Sequence, residues 1–160
     1  VIRGKPVSDK FLERAQVVLL VGEDRDHHVL CDRVGAGAGV EQLVVVLDRA
    51  ALGLDHAMAN GLDALEATGV ANPRIEVAAG ENLAGTECWV RVRDNGPGIA
   101  PDALARIFSP FYTSKERGTG LGLAISKKVV DAHGGSIEAH SAPGAGAEFT
   151  ITIPKRAVRS

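Results

Sequence analysis

The sequence has few aromatic residues, few cysteines and no long hydrophobic run. Aromatic residues occupy 4% of its 160 positions, and its two cysteines, Cys31 and Cys88, lie far apart. Two distant cysteines argue against a disulfide-stapled secreted domain, and no Cys/His cluster has the spacing of a zinc site. The apolar runs are far shorter than the roughly 20 residues that span a bilayer, so the sequence predicts no membrane span.

An excess of charge of one sign is also missing. The chain has 18 Lys and Arg residues against 20 Asp and Glu residues, a formal net charge of −2. This balance offers no basic field for nucleic acid. Hydrophobic residues make up 45% of the chain, which is enough to fill a core and argues against a disordered tail. The length predicts one domain, or one domain with a short lead-in.

The apolar patterns predict a mixed sheet with helices packed on one face. Helical spacing and stop signals predict helices over residues 7–21, 49–67, 101–108 and 120–133. Alternation and β-branched runs predict strands over residues 28–31, 42–47, 74–79, 87–93, 136–140 and 147–153.

Glycine, in contrast, is abundant, with 19 residues that are grouped most tightly in the second half of the chain. The first group, DNGPGI at residues 94–99, directly follows a predicted strand. A carboxylate there, followed by Gly-x-Gly, lets a flat ligand approach the backbone, and an exocyclic amine such as that of adenine suits Asp94. A plain Asn-Gly turn is the alternative interpretation.

The second group, GTGLGL at residues 118–123, opens the last predicted helix. Glycines spaced by two before a helix expose backbone N–H groups beside the positive end of the helix dipole, which favours a phosphate site. A flexible hinge is the alternative. The motif is neither a Rossmann fingerprint, which follows the first strand of a βαβ unit, nor a Walker loop, which needs Gly-Lys-Ser/Thr.

Asn60 and Gly61 lie inside the second predicted helix. In a helix interior Asn costs up to roughly 0.7 kcal/mol relative to Ala, and Gly costs about 1 kcal/mol. Either a weak helix or a functional asparagine explains the pair.

Taken in this order, these features resemble the catalytic ATP-binding domain of sensor histidine kinases, in the superfamily shared with gyrase-type and mismatch-repair ATPases. NGLDA at Asn60 matches the asparagine box, DNGPGI the first glycine box and residues 107–115 the phenylalanine box. GTGLGLAIS matches the second glycine box, and residues 144–149 match the last glycine motif. The lid motif PFYTSK is most similar to kinases of the nitrogen-regulation and dicarboxylate-sensing type.

The resemblance implies a role for each matched residue. Asn60 would coordinate the Mg²⁺ that bridges the triphosphate, Asp94 would read the adenine amine, and Thr150 would hold the Asp94 carboxylate or its water. Lys115 would meet phosphate charge from a lid over residues 113–119. The other implied nucleotide-binding residues are Asp63, Gly96, Gly98, Ile99, Thr113, Ser114, Gly118, Thr119, Gly120, Leu121, Gly122 and Leu123.

Two features of the sequence limit the chemistry that the resemblance implies. His56 stands four residues before Asn60, where the kinases usually carry Asn and the related ATPases carry a general-base Glu. His56 is a candidate catalytic residue, but a buried structural histidine is the favoured alternative. A structural histidine in place of the general-base Glu argues against autonomous activation of water. None of the five histidines is followed by an acidic residue, as the family's phosphoacceptor is. The fragment should therefore bind ATP without phosphorylating itself.

The resemblance implies an α/β (α+β) two-layer sandwich with a mixed, mostly antiparallel sheet of about five strands, three main helices on one face and an ATP lid. Residues 1–5 would be a tail or linker, residues 6–156 the catalytic domain and residues 157–160 a C-terminal tail. We expect an excised, monomeric and cytoplasmic piece of a parent protein that could be anchored in the inner membrane.

With ATP and Mg²⁺, such a domain would donate the γ-phosphate to a histidine on a separate dimerisation domain, for relay to the receiver domain of a response regulator. One alternative is a serine kinase that acts on an anti-sigma antagonist. Another is a nucleotide-binding regulatory module without transfer activity. The intact Asn60 and Asp94 argue against the regulatory module, and the lid motif favours the sensor kinase over the serine kinase.

Overall fold

A six-stranded sheet forms one layer of the fold in the computed structural model, which describes residues 16–22, 29–30, 40–115 and 118–155, with side chains from Leu52 onward. The strand order is β2-β1-β3-β4-β6-β5. The strands are β1 Gln16–Gly22, β2 Val29–Leu30, β3 Arg74–Glu81, β4 Glu87–Asp94, β5 Ser136–Ser141 and β6 Ala147–Pro154. Strands β1 and β3 pair in parallel and the other four pairs are antiparallel. The predicted mixed, mostly antiparallel sheet is confirmed, with one strand more than expected.

Helices form the second layer. They are α1 Val40–Thr68, α2 Pro101–Leu104 and α3 Gly122–Ala132. Helix α1 packs on β3, β4 and β6 in the middle of the sheet, and α3 packs on β5 and on α1. The two-layer α+β sandwich predicted from the sequence is therefore confirmed.

Two predictions of secondary structure are wrong. Residues 16–21 were expected to end a helix over residues 7–21, but they lie in β1 and pair with β3; residues 7–15 lie outside the described chain. Residues 42–47, expected as a buried strand, belong to α1. Propensity differences are a few tenths of a kcal/mol per residue, and tertiary packing overrides them. The helix expected over residues 49–67 is thus the later part of a longer one.

Two other helices are shorter than predicted. The helix expected over residues 101–108 ends at Leu104 and continues as turns, and the one expected over residues 120–133 begins at Gly122. The four later strands lie where the alternation predicted them, because each has one face buried under helices.

The core between the layers sets the position of the first glycine box. Strand β6 alternates strictly, with Phe149, Ile151 and Ile153 buried. On β4, Val90 and Val92 are buried against α1, and each such side chain contributes about 1.5–3 kcal/mol when fully buried. Side chains two residues apart share a face of a strand, so Asp94 continues the buried row of β4. The carboxylate is thereby placed at the end of the core.

Candidate functional site

Asp94 is a buried carboxylate with one oxygen held by the backbone. Its side chain is 7% exposed, and its Oδ1 accepts hydrogen bonds from the N–H groups of Gly96 at 2.8 Å and Ala147 at 3.3 Å. Burial raises the pKa of Asp94, and these two N–H groups oppose that rise. Both hydrogen bonds go to Oδ1, so Oδ2 is the oxygen that a ligand amine can approach.

Gly61 on α1 lies directly against this carboxylate. A methyl group at Gly61 would come within 3.3 Å of Asp94 Oδ2, so even alanine would press on the acceptor oxygen. The helix cost of about 1 kcal/mol for glycine therefore has a cause in packing. The sequence signals this position, because a glycine in a helix interior is costly, and the contact with Asp94 gives the reason.

The loop after Asp94 is fastened to the turn between β5 and β6. The Ile99 N–H donates to Ser141 Oγ at 2.8 Å, and the Gly144 N–H donates to the Pro97 carbonyl at 2.7 Å. Gly98 has a φ of 75°, and a Cβ there would overlap the carbonyl of Ala142. Glycine at 98 is therefore required by a contact within the protein. Ser141, whose Oγ also donates to the Gly146 carbonyl at 2.6 Å, was missed from the sequence.

His56 joins α1 to the start of α3. Its Nδ1 lies 2.8 Å from the Oγ of Ser126, which is fully buried and donates to the Gly122 carbonyl at 3.0 Å. Burial lowers the pKa of His56 against a smaller opposing effect of Asp55, so the imidazole is neutral at pH 7. This geometry is that of a structural link, while the catalytic role of His56 stays a prediction. Ser126 was missed, although its place four residues after Gly122 puts both on one helix face.

Lys115 connects the lid motif to α1. Its Nζ donates to Asn60 Oδ1 at 2.9 Å and to Asp63 Oδ2 at 2.6 Å. Behind it, the Lys115 N–H donates to Thr113 Oγ1 at 3.1 Å, and the Gly118 N–H donates to the Lys115 carbonyl at 3.1 Å. The structure thus brings together three predicted site residues, Asn60, Asp63 and Lys115. The two oxygens face a cation, as a ligand pair for Mg²⁺ would.

The second glycine box leads from the lid into α3. Gly120 has a φ of 66°, and a Cβ there would overlap the backbone of Phe111, whose N–H donates to the Gly120 carbonyl at 2.9 Å. The residue before α3, Leu121, makes no side-chain cap, although its own N–H is 3.4 Å from Thr119 Oγ1. Leu121 therefore provides no side-chain cap for the first N–H groups of α3.

The remaining predicted residues divide between exposed and core positions. Ser114 and Thr119 are exposed, whereas Ile99 and Leu123 pack partly buried against the main core. Ile99 also donates its backbone N–H to the loop contact with Ser141 described above.

Thr150 does not lie beside Asp94. On β6 it pairs across from Arg91 on β4 and Glu138 on β5, and it belongs to the row opposite Phe149 and Ile151. Asp94 lies on the helix-facing side with that buried row. The expectation that Thr150 holds the carboxylate is wrong because strand side chains alternate between faces. Ala147, through its N–H, is the β6 residue that contacts Asp94.

Metal ligation and membrane span give two findings for the described residues. Within residues 52–115 and 118–155, no three His, Cys, Asp or Glu side chains cluster as a metal centre would need. In the same described part of the chain, no helix has both the length and the hydrophobicity to cross a bilayer.

Solved structures with this fold include histidine kinases. The nucleotide-free catalytic domain of the histidine kinase ThkA aligns with a TM-score of 0.55 and 30% identity over 92% of this chain and 83% of that one. Full-length ShkA in complex with AMPPNP aligns with a TM-score of 0.64 and 28% identity over 92% of this chain and 27% of that one. The fold and the site together define a catalytic domain of the histidine kinase type.

The sequence comparisons agree with this class. Sensor histidine kinase ZraS of Escherichia coli (strain K12) is 36% identical over 140 residues, which is 88% of this chain and 29% of the length of ZraS. Residues 46–157 match the family described as histidine kinase-, DNA gyrase B- and HSP90-like ATPase. The chain belongs to this family. It spans less than a third of the length of ZraS, so it corresponds to one part of such a kinase.

Proposed function

We propose that this domain binds ATP with Mg²⁺ and donates the γ-phosphate to a histidine on a separate dimerisation domain, for relay to a response regulator in the cytoplasm. The observation that carries the proposal is the Asp94 carboxylate, buried at the end of β4 with Oδ1 fixed by two backbone N–H groups. An acceptor fixed in this way suits the exocyclic amine of adenine through Oδ2.

The phosphates would lie at the other end of the site. The start of α3 has no side-chain cap, and the Lys115 ammonium stands beside Asn60 and Asp63. Asn60 would give its amide oxygen to Mg²⁺, which neutralises phosphate charge when bound. Phosphoryl transfer depends mainly on positioning and charge stabilisation. The positioning of the phosphates and the stabilisation of their charge therefore need only backbone N–H groups, one lysine and one asparagine.

The acceptor of the phosphoryl group would come from a partner domain. The neutral His56 is tied to Ser126, so it is poorly placed to activate water as the Glu of the related ATPases does. In the sequence, no histidine is directly followed by an acidic residue. Both observations favour transfer to a separate domain over hydrolysis, and the sensor kinase ZraS shares 36% identity with this chain.

The test is a transfer assay with three components. The assay mixes this domain with Mg-ATP labelled at the γ-phosphate and with a dimerisation domain made from the same gene. The stability of the labelled product in acid and in base then identifies the type of residue that carries the label. We expect acid-labile label on a histidine of the partner, lost with Asp94→Asn and retained with the control Asp131→Asn. Acid-stable label would indicate a serine kinase. Tight ATP binding with no transfer would indicate a regulatory module.

A further inference from the structure

The contact of Lys115 with α1 joins two distant parts of the chain. Lys115 and Asp63 are 52 residues apart, and their side chains meet at 2.6 Å while each stays about half exposed, at 43% and 50%. The second acceptor of the same ammonium is Asn60 Oδ1, at 2.9 Å. Asn60 and Asp63 are three residues apart in α1, so they are neighbours on one helix face.

This ion pair differs from the local pair on α3. Lys127 and Asp131 are four residues apart on one helix, 3.2 Å from each other and similarly exposed. Their contact fixes nothing beyond α3, and an exposed pair of this kind stabilises a fold only slightly. The Lys115–Asp63 pair is as exposed, so it also opens easily. Because it lies across the site, however, its opening changes which charges face a ligand.

The charge at Asp63 has a consequence for a phosphate-bearing ligand. While Lys115 is bound, the carboxylate is neutralised by the ammonium. When the ammonium turns to a triphosphate, the Asp63 carboxylate remains close to Asn60 without its partner. A carboxylate and a phosphate that both lie beside Asn60 would repel each other, and a divalent cation between them would relieve that repulsion.

We propose that Asp63 makes nucleotide binding depend on a divalent cation, and that Lys115 neutralises Asp63 while no nucleotide is bound. This inference rests on the proposed function, since it needs phosphates beside Asn60. Asp63 is therefore a selectivity residue, which discriminates against metal-free nucleotide. In the absence of nucleotide, the Lys115 ammonium takes the place of the divalent cation beside Asn60 Oδ1 and Asp63 Oδ2.

The experiment is calorimetric titration of a non-hydrolysable ATP analogue into the chain, once with excess Mg²⁺ and once with EDTA. The proteins are the wild type, Asp63→Asn and the matched control Asp131→Asn, which removes the same charge from the pair on α3. We expect the ratio of the two Kd values to fall at least about threefold with Asp63→Asn, mainly because metal-free binding tightens. The control should keep the wild-type ratio.

A second measurement follows the lid without nucleotide. Trypsin cleaves after Lys115, and loss of the Asp63 contact should release that side chain. We expect faster cleavage at this site in Asp63→Asn than in the wild type or in Asp131→Asn.

The outcomes separate the two proposals. If the wild type binds the Mg²⁺ complex and Asp63→Asn leaves both the Kd ratio and the cleavage rate unchanged, the role of Asp63 is refuted and the proposed function stands. If the wild type binds no nucleotide even with Mg²⁺, the proposed function fails and this inference fails with it.

Discussion

Replacement of Asp94 by asparagine tests the site at the atom that carries the proposal. Asn has the same shape as Asp, and its amide oxygen can take the place of Oδ1, which accepts the N–H groups of Gly96 and Ala147 at 2.8 and 3.3 Å. The NH₂ group cannot take that place, because it would face two donors. The substitution therefore leaves the protein's own hydrogen bonds intact and turns a donor toward the ligand.

The size of the effect follows from the lost acceptor. A hydrogen bond to a charged group contributes about 1.5–3 kcal/mol, and a donor left against another donor adds part of an unsatisfied-group penalty of about 1–3 kcal/mol. We expect ATP affinity to fall by about 2–4 kcal/mol, roughly 30- to 1,000-fold. Guanine carries a carbonyl where adenine carries its amine. The preference for ATP over GTP should therefore shrink or reverse.

The same substitution should not lower the stability of the folded protein at pH 7. Burial raises the pKa of Asp94 in the folded protein, so this carboxyl favours folding below its unfolded pKa, near 4, and loses that contribution as pH rises through the folded pKa. Asparagine does not titrate. The variant should therefore show a flatter dependence of unfolding free energy on pH in this window, with no loss at pH 7, when measured by urea unfolding.

Calorimetric titration with ATP and GTP in Mg²⁺ buffer, on the wild type, Asp94→Asn and Asp131→Asn, checks the binding prediction. The urea data show whether the variant is folded. A folded Asp94→Asn protein that keeps ATP affinity within about threefold of the wild type would refute the assignment of Asp94 to the adenine amine.

Three further substitutions test the surroundings of the site. Gly120→Ala should lower the free energy of unfolding by more than about 1 kcal/mol, because φ is 66° and the methyl would overlap the backbone of Phe111; an unchanged urea midpoint would contradict this. Ser126→Ala should cost about 1–3 kcal/mol in the same assay, since it leaves His56 without its buried partner; a neutral effect would show that the link is dispensable. Thr150→Val should leave ATP affinity unchanged by calorimetry, because Thr150 lies on the far face of the sheet; a tenfold loss would restore it to the site.

The parts of the fold that the sequence predicted are those where one face of an element is buried. Strand β6 carries Phe149, Ile151 and Ile153 at every second position, and that period distinguishes a half-buried strand from a helix. Residues 42–47 have no such alternation, so their β-branched run was compatible with either structure. In the structure the run is part of α1.

The error at Thr150 could have been avoided with the same period. Phe149 and Ile151 were visible as the apolar row, and Thr150 between them had to lie on the opposite face. The contact of Lys115 with Asp63 had no comparable signal. It depends on where a polar, irregular lid segment meets α1 across 52 residues of chain, and neither periodicity nor propensity encodes that distance.

The small residues around Asp94 explain why a short motif, and not a periodic pattern, marks the surroundings of this carboxylate in the sequence. The carboxylate is enclosed by three segments distant in sequence: Gly61 on α1, Gly96 after β4 and Ala147 at the start of β6. At Gly61 a Cβ would come within 3.3 Å of the carboxylate, and at Gly96 within 2.8 Å. A buried, backbone-bound carboxylate therefore restricts residue type at its neighbours. Such restrictions are visible in a sequence, whereas an exposed ion pair such as Lys115–Asp63 restricts nothing around it.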